Sequence, residues 1–415
     1  MVRATHTYEW LLWHSSLYNA GVQLTAATTV LPYIATELGA PALLVSLFVP
    51  FFTAGAVLGN IAAPKALRIG GPVVVVLTVL AVIQAGLISA NVAHIAYLPD
   101  DGVVYALLIT TAVIGVAAGV FTVLLPVAAS QVLSPTRRSD MLLRSAGYGA
   151  ALVTVVSIFS SGFLSDASPG LDDAELLLVG SVAMGLSALC LLGLRAMHIT
   201  MPTQVSDIRD TLRRGVDYTR THSWFQRYLV TNIVFRAMAF GSMFFAIYSA
   251  ESLGADNGEL DTILIFMGLG LLLGVPLWQR VRTHLDARGM YLCSAAVGGV
   301  AAASCLVLHG LHVVPLVWLI GGAILLVAVA NQGVYPASQD WIFDRADGDA
   351  RVVVFGFSQL VMNLASMPLG FVVAVLAANG PAIWPIAVML GIALLAGASA
   401  TGVPKTGRRV TATEA

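Results

Sequence analysis

The sequence predicts an all-α integral membrane protein with twelve transmembrane helices in two six-helix, pseudo-repeated bundles. Three observations predict this fold class: twelve long apolar runs, a strict alternation of charge between the connections, and a repeat between the two halves. Of the 415 residues, 58% are hydrophobic and only 10% are charged, whereas a soluble domain carries about 25% charged residues. This composition argues against a soluble enzyme. The net charge of −1 provides no basic face for a nucleic acid.

Each apolar run is long enough for a helix that crosses a bilayer, which takes about 20 residues. The runs cover residues 10–36, 41–64, 71–93, 103–133, 145–165, 176–195, 224–250, 260–279, 290–308, 313–341, 352–377 and 383–402. No charged residue occurs from Val352 to Pro404, a stretch that holds two runs around the turn signal Asn379-Gly380-Pro381. Lipid offers no partner to an unpaired backbone group, so all the runs are predicted to be helical.

The distribution of basic residues predicts the orientation of the chain in the membrane. Twenty of the 21 lysines and arginines lie in the N-terminal segment, in or directly beside the connections after even-numbered runs, or in the C-terminal tail. The connections after odd-numbered runs hold eleven acidic residues and no lysine or arginine. We therefore expect a multi-pass protein of the cell (plasma) membrane with both termini in the cytoplasm.

The longest polar stretch divides the chain almost in half. We predict an N-terminal six-helix bundle over residues 1–196, a cytoplasmic linker over 197–223, a C-terminal six-helix bundle over 224–403 and a cytoplasmic tail over 404–415. Apolar residues from Ile208 to Tyr218 recur at near-helical spacing among arginines, which predicts an amphipathic helix on the cytoplasmic membrane face. This helix is either a simple connector or a regulatory, partner-binding element.

The second half of the chain repeats part of the first. Residues 33–65 and 248–280 align without gaps at a shift of 215, with nine identities in 33 positions. The identical pairs include Gly55/Gly270 and Gly59/Gly274. Parallel repeats of this kind are typical of one class of secondary transporter. We expect Gly59 and Gly274 to allow close helix packing, as small residues do in membranes.

Twelve helices, a six-plus-six division, the repeat and the basic turns after helices 2 and 8 resemble the major facilitator superfamily. The family's signature after helix 2 is roughly G-x-L-A-D-R-x-G-R-K, and this chain reads GNIAAPKALRIGG from Gly59. The leading glycine and the basic residues are kept, but Ala63 replaces the acid. In the family that acid helps to lock the cytoplasmic gate, so its loss leaves open how this chain stabilises its outward-facing state.

The resemblance also implies which residues act in gating. They are Gly59, Lys65, Arg68, Gly274, Arg280 and Arg282. The fourth helix has no buried arginine and the fifth lacks G-P-x-x-G-G. These two differences from the family disfavour a drug:proton antiporter of the usual kind.

One charged side chain falls clearly at mid-membrane. Arg236 lies about twelve residues into the seventh run, roughly 18 Å from its cytoplasmic end. Burial of an arginine is costly, so such a residue normally faces a cavity or a partner. In the family, helix 7 helps to line a central cavity, where Arg236 could hold a carboxylate or phosphate by bidentate hydrogen bonds. The alternative is an arginine capped by amide and carbonyl groups that pins two helices together.

Amide side chains recur one helical turn apart in several of the runs. With Arg236, the candidate substrate-binding residues are Asn232, Asn19, Gln23, Asn331, Gln332, Tyr335, Gln359 and Asn363. Hydrogen bonds between helices are the competing interpretation of each amide pair. Glu9, His14 and Asp340 are expected near the cytoplasmic interface rather than at the membrane centre.

These features predict a secondary active transporter of a small solute, with an anionic or zwitterionic solute as the expected class. The alternatives are an efflux pump for drugs or other hydrophobic compounds and a non-transporting receptor or scaffold on the same fold. The runs contain no nucleophile–base set, metal-ligand cluster or phosphate loop. We therefore expect no enzymatic activity and no cofactor or metal. The expected partners are the solute and the lipid bilayer, and the expected state is a monomer.

Overall fold

The computed structural model describes most of the chain. The described residues are 2–28, 30–41, 44–45, 47–70, 72–163, 169–194, 208–239, 245, 259–311, 317–346, 350–379 and 383–404. Within these ranges the secondary structure is fourteen α-helices, with no strand. The all-helical class that the apolar runs predict is therefore confirmed.

Seven helices, α1 to α7, precede the polar linker and are here called the first half. They are Val2–Leu24 (α1), Val30–Glu37 (α2), Phe48–Gly70 (α3), Val73–Tyr97 (α4), Asp100–Val132 (α5), Pro135–Phe163 (α6) and Pro169–Leu192 (α7). The first run, expected to be one helix over residues 10–36, is instead split into α1 and α2. Thr25 bonds its hydroxyl back to the carbonyl of Gly21 at 2.8 Å, a contact that competes with the regular helical ladder.

The linker helix and the second half follow. They are Ile208–Thr221 (α8), then Ser223–Ala239 (α9), Glu259–His284 (α10), Ala287–Gly310 (α11), Val317–Arg345 (α12), Ala350–Asn379 (α13) and Ile383–Ala400 (α14). The second half consists of α9 to α14. The helix predicted within the polar linker thus has its counterpart in α8.

The exterior of the bundle is apolar, as a lipid environment requires. By length and composition, seven helices of the described ranges could cross a membrane, namely α4, α5, α6, α7, α11, α12 and α14, and α3 and α13 contain shorter apolar segments. Large apolar side chains are more than half exposed on both halves, among them Leu58, Ile109, Val230 and Leu394. The interior is also mainly apolar, and buried polar residues such as Asn91 and Gln84 occur within it.

Glycines bring α3 and α5 into backbone-to-backbone contact. A Cβ added at Gly55 would collide with the carbonyl of Ala112, and one at Gly59 would collide with the carbonyl of Val116. Gly119 faces the α3 backbone in the same way from the other side. Such close approach is how helices associate in lipid, where the hydrophobic effect gives no drive.

The repeat-matched glycines of the second half stand in the equivalent place. Gly270 faces the carbonyl of Leu325, and Gly274 faces the side-chain amide oxygen of Gln332. Both contacts join α10 to α12, just as Gly55 and Gly59 join α3 to α5. The sequence repeat therefore corresponds to one helix pair that is built twice.

The largest contacts between the halves are those of α3 with α13 and of α6 with α10, and smaller ones join α6 to α12 and α5 to α13. The α6–α10 contact is close, because a Cβ at Gly268 would collide with the hydroxyl of Thr154 and one at Gly147 with the side chain of Val275. At the end of the bundle where α6 begins and α10 and α12 finish, this contact becomes polar.

Candidate functional site

The side chain of Arg236 faces the inside of the bundle. It lies on α9, thirteen residues after Ser223 or roughly 20 Å along the helix. More than a third of its side chain is exposed, yet it is about 120° around the helix from Val230, which faces the apolar exterior. Its Nη2 donates to Oδ1 of Asn363 on α13 at 2.6 Å. The exposed surface of Arg236 is therefore internal.

Two further helices contribute polar groups near Arg236. Tyr335 on α12 is 38% exposed and lies close enough to the guanidinium for an electrostatic interaction. Gln359, one turn before Asn363 on α13, is buried like Asn363 itself. We call Arg236, Tyr335, Gln359 and Asn363 the Arg236 cluster. Helices α9, α12 and α13 hold it, and every member was expected from the sequence.

Asn331 and Gln332 lie on α12 with unsatisfied polar atoms. The buried Oδ1 of Asn331 and both side-chain polar atoms of Gln332 have no hydrogen-bond partner among the described residues. Gln332 packs against Gly274 in the contact between α10 and α12. Unpaired buried amides are costly, so a bound polar group would gain from pairing with these two residues, or with Gln339 on the same helix, whose side-chain amide is also unpaired among the described contacts.

The side-chain amide of Asn232 is occupied by hydrogen bonds within the second half. It is 4% exposed, its Oδ1 accepts from the Tyr291 hydroxyl at 2.9 Å and its Nδ2 donates to the carbonyl of Tyr228 at 2.9 Å. The spacing of four residues from Arg236 predicted a shared face, but the Asn232 amide is committed to contacts within the second half. It holds α9 against α11.

The two amides of α1 form no hydrogen bond with the Arg236 cluster among the described contacts. Asn19 donates from Nδ2 to Oγ of Ser145 on α6 at 3.5 Å, which is the limit of a hydrogen bond. Asn19 and Gln23 are both half-buried. In the described part of the chain, no hydrogen bond links either residue to the second half.

A polar network across the halves closes one end of the bundle. Asp340, near the end of α12, accepts from the Ser139 hydroxyl on α6 at 2.7 Å. Its carboxylate also forms ion pairs with Arg282 of α10 at 3.2 Å and with Arg138 of α6 at 3.6 Å. The Arg138 side chain is 3% exposed and stacks on Phe343 at 4.4 Å. Asp340 therefore balances a buried cation that the other half supplies.

A second acid lies beside this network. Asp140 of α6 accepts from Nε2 of Gln279 on α10 at 2.8 Å, again across the halves. The Tyr8 hydroxyl donates to the same carboxylate at 2.7 Å, and Arg144 pairs with it at 3.0 Å. The gate cluster, as we name it, comprises Arg138, Ser139, Asp140, Gln279, Arg282 and Asp340.

The gate cluster differs from the set that the sequence suggested. Of the basic residues expected there, Arg282 takes part, whereas Lys65 and Arg280 are exposed and have no ion pair among the described contacts. The side chain of Arg68 lies outside the described residues. Sequence reasoning missed Arg138, Ser139, Asp140 and Gln279. The one available signal was Asp340, an acid in the last turns of an apolar run at an end rich in arginines.

Comparison with known proteins identifies the family. The family model described as Major Facilitator Superfamily matches residues 15–368. The chain belongs to this superfamily. It is therefore a multi-pass membrane transporter, and the twelve-helix fold with two pseudo-repeated bundles is that of the superfamily.

Relatives and solved structures agree with this assignment. The chain is 29% identical over 397 residues, 95% of its own length and 76% of theirs, to uncharacterized proteins of Mycobacterium tuberculosis and Mycobacterium bovis. Its fold is similar to that of the E. coli proton:xylose symporter, with a TM-score of 0.68, 13% identity and 96% and 97% of the two chains covered. A bacterial homologue of the iron transporter ferroportin in its outward-facing state gives a TM-score of 0.67 at 11% identity over 95% and 98% of the chains. At such identities the superfamily structures show the fold alone.

Proposed function

We propose that this protein is a secondary active transporter that moves a small anionic or zwitterionic solute across the plasma membrane by alternating access. The halves, taken as residues 1–196 and 224–403, would rock about a central site in a monomer with both termini in the cytoplasm. The gate cluster supports this mechanism, because it joins the halves at one end of the bundle. Its contacts there are made between side chains, which can separate.

Arg236 is the anchor of the proposed site. The observation that carries this role is an arginine deep in the bundle, open to an internal space, with one described hydrogen bond to a neutral amide. A guanidinium has five N–H donors, so Arg236 keeps capacity for a carboxylate or phosphate. Tyr335 and the unpaired Asn331 amide would add neutral hydrogen bonds to the rest of the solute.

The gate cluster also suggests how the outward-facing state is held. Where the superfamily has an acid, this chain has Ala63, which is buried and apolar. We propose that Asp340 stabilises the closed cytoplasmic end in its place, from the second half instead of the first. The two carboxylates Asp340 and Asp140 would then hold the halves together through three partners from the opposite half, namely Ser139, Arg138 and Gln279.

The test uses the purified full chain in a thermal-shift screen of anionic, zwitterionic, neutral and cationic metabolites and drugs, followed by flux in proteoliposomes. A ligand that binds the folded state raises its melting temperature. Arg236→Gln should weaken binding of an anionic hit by about 10- to 100-fold, because a hydrogen bond to a charged group contributes about 1.5–3 kcal/mol. Arg236→Lys should recover part of this loss, since it keeps the charge but not the planar fork.

Arg227→Gln is the matched control, because Arg227 is an exposed arginine on the same helix, away from the Arg236 cluster. It should leave ligand affinity unchanged. Unaltered affinity in Arg236→Gln would overturn the anchor. Hits confined to apolar or cationic drugs would favour the efflux pump, and specific binding without flux would favour a receptor or scaffold.

A further inference from the structure

The linker helix α8 is seated on the second half by its apolar side. A Cβ added at Gly215 would collide with the ring of Phe357 on α13, so only a glycine lets the helix approach so closely. Leu212 and Tyr218, on the same side of α8, pack against the hydrophobic core of the second half. The apolar stripe that predicted a membrane-surface helix is therefore partly covered by protein at Leu212 and Tyr218, whereas Val216 stays 39% exposed.

The depth of this contact places α8 beside the bundle rather than beyond its end. Phe357 lies seven residues after Ala350, which begins α13, or roughly 10 Å along that helix. The α8–α9 corner is also fixed, because Gln226 donates from Nε2 to the carbonyl of Thr219 at 2.8 Å. Tyr218 and His222 stack there with ring centroids 3.9 Å apart. Since α9 enters the apolar region directly after this corner, α8 lies at the level of the lipid headgroups.

The face of α8 turned away from the protein is basic. Arg209, Arg213 and Arg220 are all exposed and fall within about 40° of one another around the helix. They lie about 120° to 160° from the seated Gly215. Asp217 is the acid described nearby, and its contact with Arg213 is long, at 4.0 Å. Between Ile208 and Arg227 the sequence has five arginines and two aspartates.

We propose that the exposed face of α8, carried by Arg209, Arg213 and Arg220, is a docking surface for the headgroups of anionic phospholipids. Basic clusters on an amphipathic helix at a membrane surface bind anionic lipid through charge attraction. On a helix beyond the end of the bundle, the same arginines would be surrounded by water and would lie away from the headgroups. The depth of α8 against α13 and its fixed corner put these arginines where phosphates lie.

The test uses detergent-purified full chain titrated with phosphatidylglycerol or phosphatidylcholine, with the melting temperature as readout. The wild type should be stabilised more by phosphatidylglycerol, and high salt should reduce the difference. The double variant Arg213→Gln/Arg220→Gln should weaken the apparent phosphatidylglycerol affinity by about 25-fold, at roughly fivefold per arginine near the surface. Asp217→Asn should strengthen it, which no general loss of folding could imitate.

Arg137→Gln/Arg345→Gln is the matched control, since it removes two exposed arginines from the same end of the bundle but outside α8. It should change the phosphatidylglycerol response much less than the α8 double variant. Equal effects of the two double variants would overturn the proposal. So would equal stabilisation by both lipids, or full competition by inorganic phosphate, which would indicate a soluble-anion site.

Discussion

Ser139 donates its hydroxyl hydrogen to Asp340 across 2.7 Å, although the two residues are 201 positions apart and belong to different halves of the transporter. Asp340 also receives Arg282 from its own half and Arg138 from the opposite half. One carboxylate therefore links three helices at the end predicted to be cytoplasmic. The balance between closed and open forms of that end should depend on this residue more than on any single basic residue around it.

Asp340→Asn should destabilise the closed end. The substitution leaves the Arg138 guanidinium buried without its counter-charge, a change that costs about 1–3 kcal/mol. Spin labels or fluorophores on the first turn of α6 and the last turn of α12 should report a population with a larger separation. Asp344→Asn is the comparison and should have a smaller effect, because Asp344 is exposed and is a weaker electrostatic partner of Arg138, one turn further along α12. Identical distance distributions in wild type and Asp340→Asn would show that other contacts hold the end shut.

Gly59→Ala should be destabilising although alanine is the better helix former. Its Cβ would collide with the backbone carbonyl of Val116, and overpacking of this kind costs about 1–3 kcal/mol. Gly86→Ala is the matched control in another transmembrane helix, since a Cβ there meets nothing within 4 Å. It should be neutral or stabilising. Thermal denaturation in one detergent measures both, and a lower melting temperature for Gly86→Ala than for Gly59→Ala would contradict the glycine contact.

Gly274→Ala tests the equivalent position of the second half and should be milder. There the obstacle is the amide of Gln332, a side chain that can turn aside, rather than a fixed carbonyl. We expect a smaller fall in melting temperature than for Gly59→Ala, measured in the same experiment. The double variant Gly274→Ala/Gln332→Ala should recover stability, because it removes both the collision and the unpaired amide. If Gln332→Ala does not reduce the fall in melting temperature, the collision is with a group other than the Gln332 amide.

Asn363→Asp should convert the anchor into an internal ion pair. Arg236 already donates to Oδ1 of Asn363 at 2.6 Å, so a carboxylate there would compete directly with an anionic solute. Any stabilisation by anionic ligands should fall by about tenfold or more, on the scale of a charged hydrogen bond. Gln359→Glu adds the same charge one turn away and should have a smaller effect. An anion response equal to wild type in Asn363→Asp would separate Arg236 from the solute.

Asn232→Ala should affect stability and leave ligand selectivity intact. It removes the acceptor of the buried Tyr291 hydroxyl, which costs about 1–3 kcal/mol when the donor is left unpaired. Tyr291→Phe removes the donor alone, and a double-mutant cycle should yield a coupling of about 1 kcal/mol. Denaturant unfolding measures the cycle. Loss of anion binding with unchanged stability would return Asn232 to the solute site.

Local sequence patterns were sufficient to predict the helices and the close contacts at the repeat-matched glycines. Hydropathy over short windows predicted the membrane helices, and the near-helical spacing of apolar residues predicted α8. It did not predict the break between α1 and α2, because the apolar run continues without interruption through both helices. The paired glycines indicated close helix contacts, because a residue without a side chain lets two helices approach closely in either half.

Contacts between distant helices could not be derived in the same way. A spacing of four residues put Asn232 and Arg236 on one face, but that face is wide enough to hold both a buried and an accessible residue. The sequence identified the polar residues of the Arg236 cluster on separate helices. It did not show that Asn363 is the hydrogen-bond partner of Arg236. The gate cluster depends on pairs such as Gln279 and Asp140, 139 residues apart, for which no local pattern exists.

The carbonyl-to-glycine contacts between α3 and α5 have a mechanical consequence. Helices that touch backbone to backbone cannot slide or bend independently without a collision, so the pair behaves as a stiff strut. The 33 residues of α5 make a lever arm of roughly 50 Å. Pivoted near its middle, such an arm turns a displacement of a few ångströms at one end into a comparable displacement at the other. If the halves rock as proposed, a displacement at one end of α5 would therefore be transmitted across the membrane instead of being absorbed by deformation.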